Sequence, residues 1–313
     1  MWARIAPASG DRRVDLVTLG ENSLDFVAVA GADRAVGGKQ RLRAFHVFPG
    51  GQTTTAAVAA ARLGLRARYV GAFGADEWGR RSRATLDEAG VEVVAVEHRD
   101  APSRVAVVIV DADGDRHVLE HRDARLRIDP IPAGAVESAR VLIVDATDVA
   151  AAQAAARRGR AAGVPAIVDV DRVDEDVDAL LDLIDVIVVP ISFLEAATGA
   201  STPGAALERL AARYRSASAV VVTLGEEGSL ARAQGREIRT PAYRVDVVDT
   251  TGAGDAFRGG FAAAWIRLGS GAPIDDVLRY ANATAALNCR AVGAQTALPT
   301  WGDVEGRVTK GGG

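Results

Sequence analysis

The chain has 313 residues, of which 49% are hydrophobic and 25% charged, and its formal net charge is −4. That composition suits an ordinary soluble globular protein, and the mild acidity gives no electrostatic case for binding nucleic acid or an acidic membrane. Among 35 arginines stand two lysines, Lys39 and Lys310, and neither lies in a Gly-x-x-x-x-Gly-Lys-Ser/Thr loop, so a P-loop nucleotide site is excluded.

Cys289 is alone, which rules out an intramolecular disulfide, and His46, His98, His117 and His121 are scattered without zinc spacing. Met1–Arg13 lacks the apolar stretch of a signal peptide, and no segment approaches 18 uninterrupted apolar residues. A cytoplasmic protein that neither spans nor binds a membrane is expected, with frayed ends at the first dozen residues and at Lys310-Gly311-Gly312-Gly313.

Taken in chain order, Val14–Leu19 reads as a first strand, followed by Phe26–Ala30 and His46–Phe48 with no helix between them. Pro49-Gly50-Gly51 then reads as a paired-glycine turn opening a small-residue helix, Gln52 to Gly64, where backbone can approach a ligand closely. Arg104–Val110 and His117–Glu120 read as a hairpin turning at Asp113-Gly114. Val141–Val144, Ala166–Val170, Val186–Val189 and Val220–Leu224 are short β-branched runs, mostly separated by Ala-rich or Leu-rich helical stretches. That alternation predicts an α/β fold, a Rossmann-like and mostly parallel sheet flanked by helices. The strands that lack helices, in segments of about 25–48 and 103–121, form either a small inserted β-sheet lid or an antiparallel extension of the main sheet. Pro130-Ile131-Pro132 is too brief to mark a boundary, so residues 14–308 are expected to be one domain.

Tyr243–Val248 reads as a strand and Ala256–Leu268 as a helix, and between them lies Asp249-Thr250-Thr251-Gly252-Ala253-Gly254-Asp255-Ala256-Phe257. Glycines at 252 and 254 let successive N–H groups converge on one anion, and the helix dipole adds positive potential there. With a phosphate held at Gly252, Ala253 and Gly254, Asp255 is placed to accept a proton from an attacking hydroxyl as general base. Two rival readings are an ordinary helix cap and a dinucleotide fingerprint with Asp275 as its acidic residue. Phe257 stands where the fingerprint needs its third glycine, and Asp255 would repel a pyrophosphate.

The paired-glycine helix, the run Gly71-Ala72-Phe73-Gly74-Ala75-Asp76-Glu77-Trp78-Gly79 and the late Asp255 motif together resemble the ribokinase/PfkB carbohydrate kinase family, from Gly20 to Pro299. The resemblance implies a ribokinase-like fold and attack of a sugar hydroxyl on the γ-phosphate of ATP, with Mg²⁺ accompanying the nucleotide. It implies sugar binding by Asp25, Gly50 and Gly51, and nucleotide binding by Thr223, Gly225 and Gly228 and by Asn282 of Tyr280-Ala281-Asn282-Ala283. Asp249, Thr251 and Gly293 would surround a monovalent cation of the K⁺ type, and the lid would join a homodimer. Asn282 also reads as an exposed helix residue, and Asp25 as a solvated strand end.

Two positions depart from the family pattern. Thr55 stands where an asparagine commonly contacts the sugar, and Pro190-Ile191-Ser192-Phe193 replaces the usual Asn-x-x-Glu near magnesium, with Glu195 as the nearest carboxylate. A ribose-like or ketose acceptor is favoured. The alternatives are a nucleoside, a 2-keto-3-deoxy sugar acid, or a catalytically weak regulator that binds sugar or nucleotide.

Overall fold

The computed structural model describes residue 3 and residues 14–31, 41–111, 116–173 and 175–311. Most of Met1–Arg13, the Asp113-Gly114 turn and the last two glycines lie outside the described residues.

After β1 (Leu16–Leu19) the chain leaves the core for β2 (Ser23–Ala30) and β3 (Leu42–Gly50), and α1 (Gln52–Arg62) brings it back. β4 (Ala67–Gly74), α2 (Glu77–Glu88) and β5 (Glu92–His98) follow, then β6 (Val105–Val110) and β7 (Arg116–His121). The second half alternates through β8 (Val141–Asp145), α3 (Val149–Ala161), β9 (Ala166–Asp169), α4 (Glu175–Leu181), β10 (Val186–Pro190), α5 (Ile191–Thr198), α6 (Pro203–Arg213) and β11 (Ala219–Thr223). A hairpin, β12 (Ser229–Ala233) and β13 (Arg236–Thr240), precedes α7 (Ala253–Leu268), α8 (Ile274–Asn288) and α9 (Trp301–Thr309).

The main sheet has the order β13-β12-β11-β10-β9-β8-β1-β4-β5, and every pair from β11 to β5 is parallel. β8 to β11 are near-continuous Val, Ile and Leu because helices cover both faces of a parallel sheet. Along β1, Leu16 joins the apolar layer of Phe257 and Trp265, while Val17 joins the opposite layer with Leu142. The strand order reverses between β1 and β8, and in open parallel sheets ligands bind at the carboxyl ends of the strands at such a reversal. Leu19 and Val144 are register partners there, so Gly20 and Asp145 come next on each side.

β3-β2-β6-β7 form a separate sheet, with β2 parallel to β6 and the other pairs antiparallel. This is the inserted lid and not an extension of the main sheet. One expected strand is corrected. Among the described residues Tyr243–Val248 pairs with no strand, and the N–H groups of Val248 and Asp249 donate instead to the Cys289 carbonyl at the end of α8. Tyr243 is buried in the core, but Val247 and Val248 face solvent, so no alternating apolar face draws the segment onto the sheet edge. The β12–β13 hairpin went unassigned in the sequence, although Gln234 and Gly235, both with positive φ, make the two-residue turn such hairpins need.

α7 is wedged between α1 and α8 by two consecutive glycines. A Cβ at Gly259 would lie 2.7 Å from the Ala56 carbonyl oxygen, and one at Gly260 would lie 2.5 Å from Thr284 Oγ1. Gly259→Val is therefore expected to force α1 from α7 and lower unfolding stability by about 1–3 kcal/mol. Gly271→Val, where a Cβ meets nothing within 4 Å, serves as the control in the same urea titration.

Candidate active site

The close approach of α1 and α7 brings the paired-glycine turn beside the Asp255 motif, although some 200 residues separate them in sequence. α7 begins at Ala253, three residues before the sequence pattern placed its start, so Asp255 lies inside the first helical turn. Gly252, at φ 74°, is the helix N-cap, and a Cβ there would lie 2.7 Å from the Ala294 carbonyl oxygen. An α-helix leaves its first-turn N–H groups without intrahelical acceptors, and in α7 that of Ala253 is turned back onto the Thr250 carbonyl at 3.1 Å.

Asp249 clamps the loop that leads in. Its Oδ1 accepts from the Thr251 N–H at 2.8 Å and the Thr251 hydroxyl at 2.7 Å, and its Oδ2 accepts from the Gly293 N–H at 2.8 Å. Asp249, Thr251 and Gly293, expected to surround a monovalent cation, are thus brought together. Beside them the buried Asn288 donates to the Ala294 carbonyl at 2.9 Å, and its Oδ1 has no hydrogen-bond partner among the described residues. An orphaned carboxamide oxygen among backbone carbonyls and a carboxylate suits a hard cation.

Two carboxylates that sequence reasoning missed stand at strand ends. Asp145, at the end of β8, accepts from the Glu21 N–H at 2.7 Å, the Thr53 hydroxyl at 3.2 Å and the Thr147 N–H at 2.8 Å. Asp169, at the end of β9, is paired with Arg258 Nη2 at 2.8 Å and faces the Asp255 carboxyl. Burial pushes both Asp145 and Asp169 up to about 6. Burial and then the Asp169 charge raise Asp255 well above the ordinary carboxyl range, opposed by Arg258. The signal for both strand-end residues was present: an acidic residue closes the apolar runs Val141–Val144 and Ala166–Val168, where α/β sheets place ligand groups.

Of the residues expected to bind sugar, Asp25 sits within β2 rather than at a solvated strand end. Ser23 Oγ donates to it at 2.8 Å, and burial raises its pKa. The Asp25 carboxylate fills the space where a Gly50 side chain would stand, 2.3 Å from that Cβ position. Gly51, at φ 96°, caps α1. Thr55 is fully buried in α1, and its hydroxyl accepts from Gln295 Nε2 at 3.2 Å. Buried Arg104 is ion-paired with Glu21 of the core loop and, at 2.6 Å, with Glu120 of the lid.

Of the residues expected to bind nucleotide, Thr223 ends β11 and Gly225 begins a short 3-10 turn that Gly228 closes. A Cβ at Gly228 would lie 2.2 Å from the Thr240 carbonyl oxygen, so no other residue fits. Asn282 is buried, not exposed on its helix. Its amide donates to Ser229 Oγ at 3.0 Å and to the Thr240 carbonyl at 3.2 Å, which fastens α8 to the β12–β13 hairpin. Glu195 is exposed on α5, the helix that opens directly from β10. Among the described residues no group of three or more His, Cys, Asp or Glu side chains is disposed to hold a metal.

The pfkB family carbohydrate kinase profile matches residues 14–301. The aminoimidazole riboside kinase of Salmonella typhimurium is 33% identical over 272 residues, covering 80% of this chain and 85% of that protein. Fructokinase-1 of Oryza sativa is 30% identical over 314 residues, covering 91% and 94%. A ribokinase of Arabidopsis thaliana, solved in complex with ribose and ATP, superposes with a TM-score of 0.82 at 26% identity over 94% of this chain and 98% of that one.

The raised carboxyls have a consequence for stability. The folded protein binds the Asp145 and Asp169 protons more tightly than the unfolded chain, where a carboxyl titrates near about 3.9. Their favourable contribution is full below about pH 4 and is lost as pH rises through about 6. The melting temperature, measured by calorimetry, is therefore expected to fall between pH 5 and pH 7, and Asp145→Asn is expected to flatten that fall.

Proposed function

This chain belongs to the pfkB family of carbohydrate kinases, and on that footing we propose that Asp255 takes the proton of a sugar hydroxyl as its oxygen attacks the γ-phosphate of ATP. The enzyme is a phosphotransferase with an alcohol acceptor. The acceptor O–H bond breaks towards Asp255, an O–P bond forms, and the bond from phosphorus to the ADP oxygen breaks. The N–H groups around Gly252, Ala253 and Gly254 stabilise the charge on the phosphoryl oxygens. One observation carries this reading: Asp255 shares a helical turn with the left-handed Gly252, and burial gives its carboxyl an unusually high proton affinity.

ATP, in this reading, lies against Thr223, Gly225 and Gly228, with Asn282 holding the hairpin in place. Mg²⁺ supplies positive charge against the phosphates, with Glu195 as its nearest candidate side chain. A K⁺-type ion belongs at Asp249, Thr251 and Gly293, where Asn288 Oδ1 awaits a partner. The acceptor binds through Asp25 and the backbone of Gly50 and Gly51, with Thr55 behind them. A ribose-like or ketose sugar fits this set of one carboxylate and exposed backbone. One observation favours a sugar acid as the second reading: the Arg122 cation lines the cleft with Glu21, Asn22 and Arg104.

Asp255→Asn is expected to leave ATP binding by calorimetry intact while lowering turnover about 10²–10⁴-fold. The assay is a panel of ribose, fructose, a nucleoside and 2-keto-3-deoxygluconate with Mg²⁺ and K⁺. Preference for the keto acid, lost in Arg122→Ala, would replace the neutral-sugar reading. Tight ligand binding with no ADP release from any acceptor would sink the kinase reading.

The lid is the proposed dimer contact, in an enzyme working in the cytoplasm. The strand register puts Phe45, Val107, Ile109 and Leu119 on one face of the lid, all exposed, while Asp25 and Phe48 lie on the face turned to the site. An outer face this apolar suits burial against a second copy. Among the described residues no helix is long and apolar enough to cross a membrane. Sedimentation equilibrium is expected to show a dimer, and Phe45→Glu with Leu119→Glu a folded monomer.

A further inference from the structure

α7 carries a charge in its most apolar stretch. Arg258 lies one turn beyond Asp255, is 4% exposed, and is flanked by the buried Phe257 and Gly259. A guanidinium taken out of water is tolerated only where it is paired and hydrogen-bonded. Its Nη2 donates to Asp169 Oδ1 at 2.8 Å and to the Val188 carbonyl at 3.1 Å, and its Nη1 stands 4.0 Å from Asp255 Oδ1. The group fits because residue 254 has no side chain, for a Cβ there would lie 2.9 Å from Nη1.

Asp169 is 2% exposed, and its Oδ1 also accepts from Gln52 Nε2 at 3.3 Å. Its Oδ2 has no donor from elsewhere among the described residues and faces the Asp255 carboxyl. Two carboxyls therefore share one guanidinium, at a point that ties together β9, β10, α7 and the first residue of α1.

We infer that Arg258 and Asp169 are positioning residues for Asp255, Arg258 holding the two carboxyls in register at the start of α7. The inference rests on Asp255 being the base. The charged groups facing Asp255 are Arg258 on α7, Asp169 at the end of β9 and Asp145 at the end of β8, with Asp171 beyond Asp169. Arg258 favours the ionised base, and the two strand-end carboxylates oppose it. Removing one or the other must therefore move the Asp255 titration in opposite directions.

The test is the pH dependence of kcat for Arg258→Met, Arg258→Lys and Asp169→Asn. A base works only when deprotonated, so Arg258→Met is expected to move the acid limb to higher pH by about 1 unit or more, and Asp169→Asn to lower pH. Arg258→Met is also expected to cut kcat at neutral pH by about 10–100-fold with KM for ATP little changed, and Arg258→Lys is expected to restore part of it. If Arg258→Met fails to fold, the same substitution is read on the Asp169→Asn background, where only one carboxyl of the pair, that of Asp255, is left without the guanidinium. The titration is followed independently of turnover by carboxyl ¹³C NMR on aspartate-labelled protein, with Asp255→Asn identifying the resonance. Opposite shifts in a protein that phosphorylates no sugar would sink the kinase reading, and with it the positioning of a base, leaving only the coupling of the two carboxyls through Arg258. An unmoved resonance, or shifts of the same sign in both variants, would overturn it.

Discussion

Around the candidate site, charged groups occupy the places where the side chains of Gly20, Gly50 and Gly254 would stand. The Asp145 carboxylate lies 2.1 Å from the Cβ position of Gly20, that of Asp25 lies 2.3 Å from that of Gly50, and Arg258 Nη1 lies 2.9 Å from that of Gly254. Each glycine is thus fixed by the charge beside it more than by its own dihedral freedom. Gly50 shows this best, because its φ lies outside the positive region and still no side chain fits. The loops that would touch sugar and phosphate are backbone surfaces laid directly over buried carboxylates and a guanidinium. Such a surface presents N–H donors at short range and excludes the water that would screen them.

The remainder of the fold serves to bring these loops to one place. A reversal in strand order opens a crevice between β1 and β8, and Tyr69 fixes its lip by donating to the Gly20 carbonyl at 2.6 Å while accepting from Asn22 at 2.8 Å. Alanines and glycines along α1 and α7 let the two helices touch backbone to side chain, which aligns their N-termini. Larger residues would give a better apolar core and a worse site, because the phosphate loop would withdraw from the paired-glycine turn as the helices separated. Helix packing here is set by the geometry the chemistry needs.

Sequence patterns carry the parts of this that depend on local composition. Buried parallel strands such as Val186–Val189 announce themselves by unbroken β-branched runs, and the Asp249–Phe257 motif by its glycines. What they cannot carry is pairing. Tyr243–Val248 alternates as a strand should, yet its valines meet no partner, whereas the plain sequence Ser229–Ala233 becomes a strand because β11 offers an edge. Asn282 looks like any polar helix residue until its contacts with Ser229 and Thr240 show that it joins two elements. Arg258 is the sharpest case. A single arginine in Phe257-Arg258-Gly259-Gly260-Phe261 signals a buried ion pair, but its partner Asp169 lies 89 positions earlier and shares no motif with it.

The same logic bears on the departure at Thr55. A threonine there keeps a hydroxyl, but the hydroxyl already meets Gln295 and is fully buried, so it is poorly placed to count a sugar's oxygens. On the proposed reading, discrimination then falls to Asp25 on the lid and to the Glu21–Arg104–Glu120 chain linking lid to core. Arg104 is buried between two carboxylates that belong to different parts of the molecule, and separating them would strand its charge in a dry site. Lid position and the conformation of the sugar loop are therefore tied through one guanidinium, so that an acceptor which displaces Glu21 also displaces the lid.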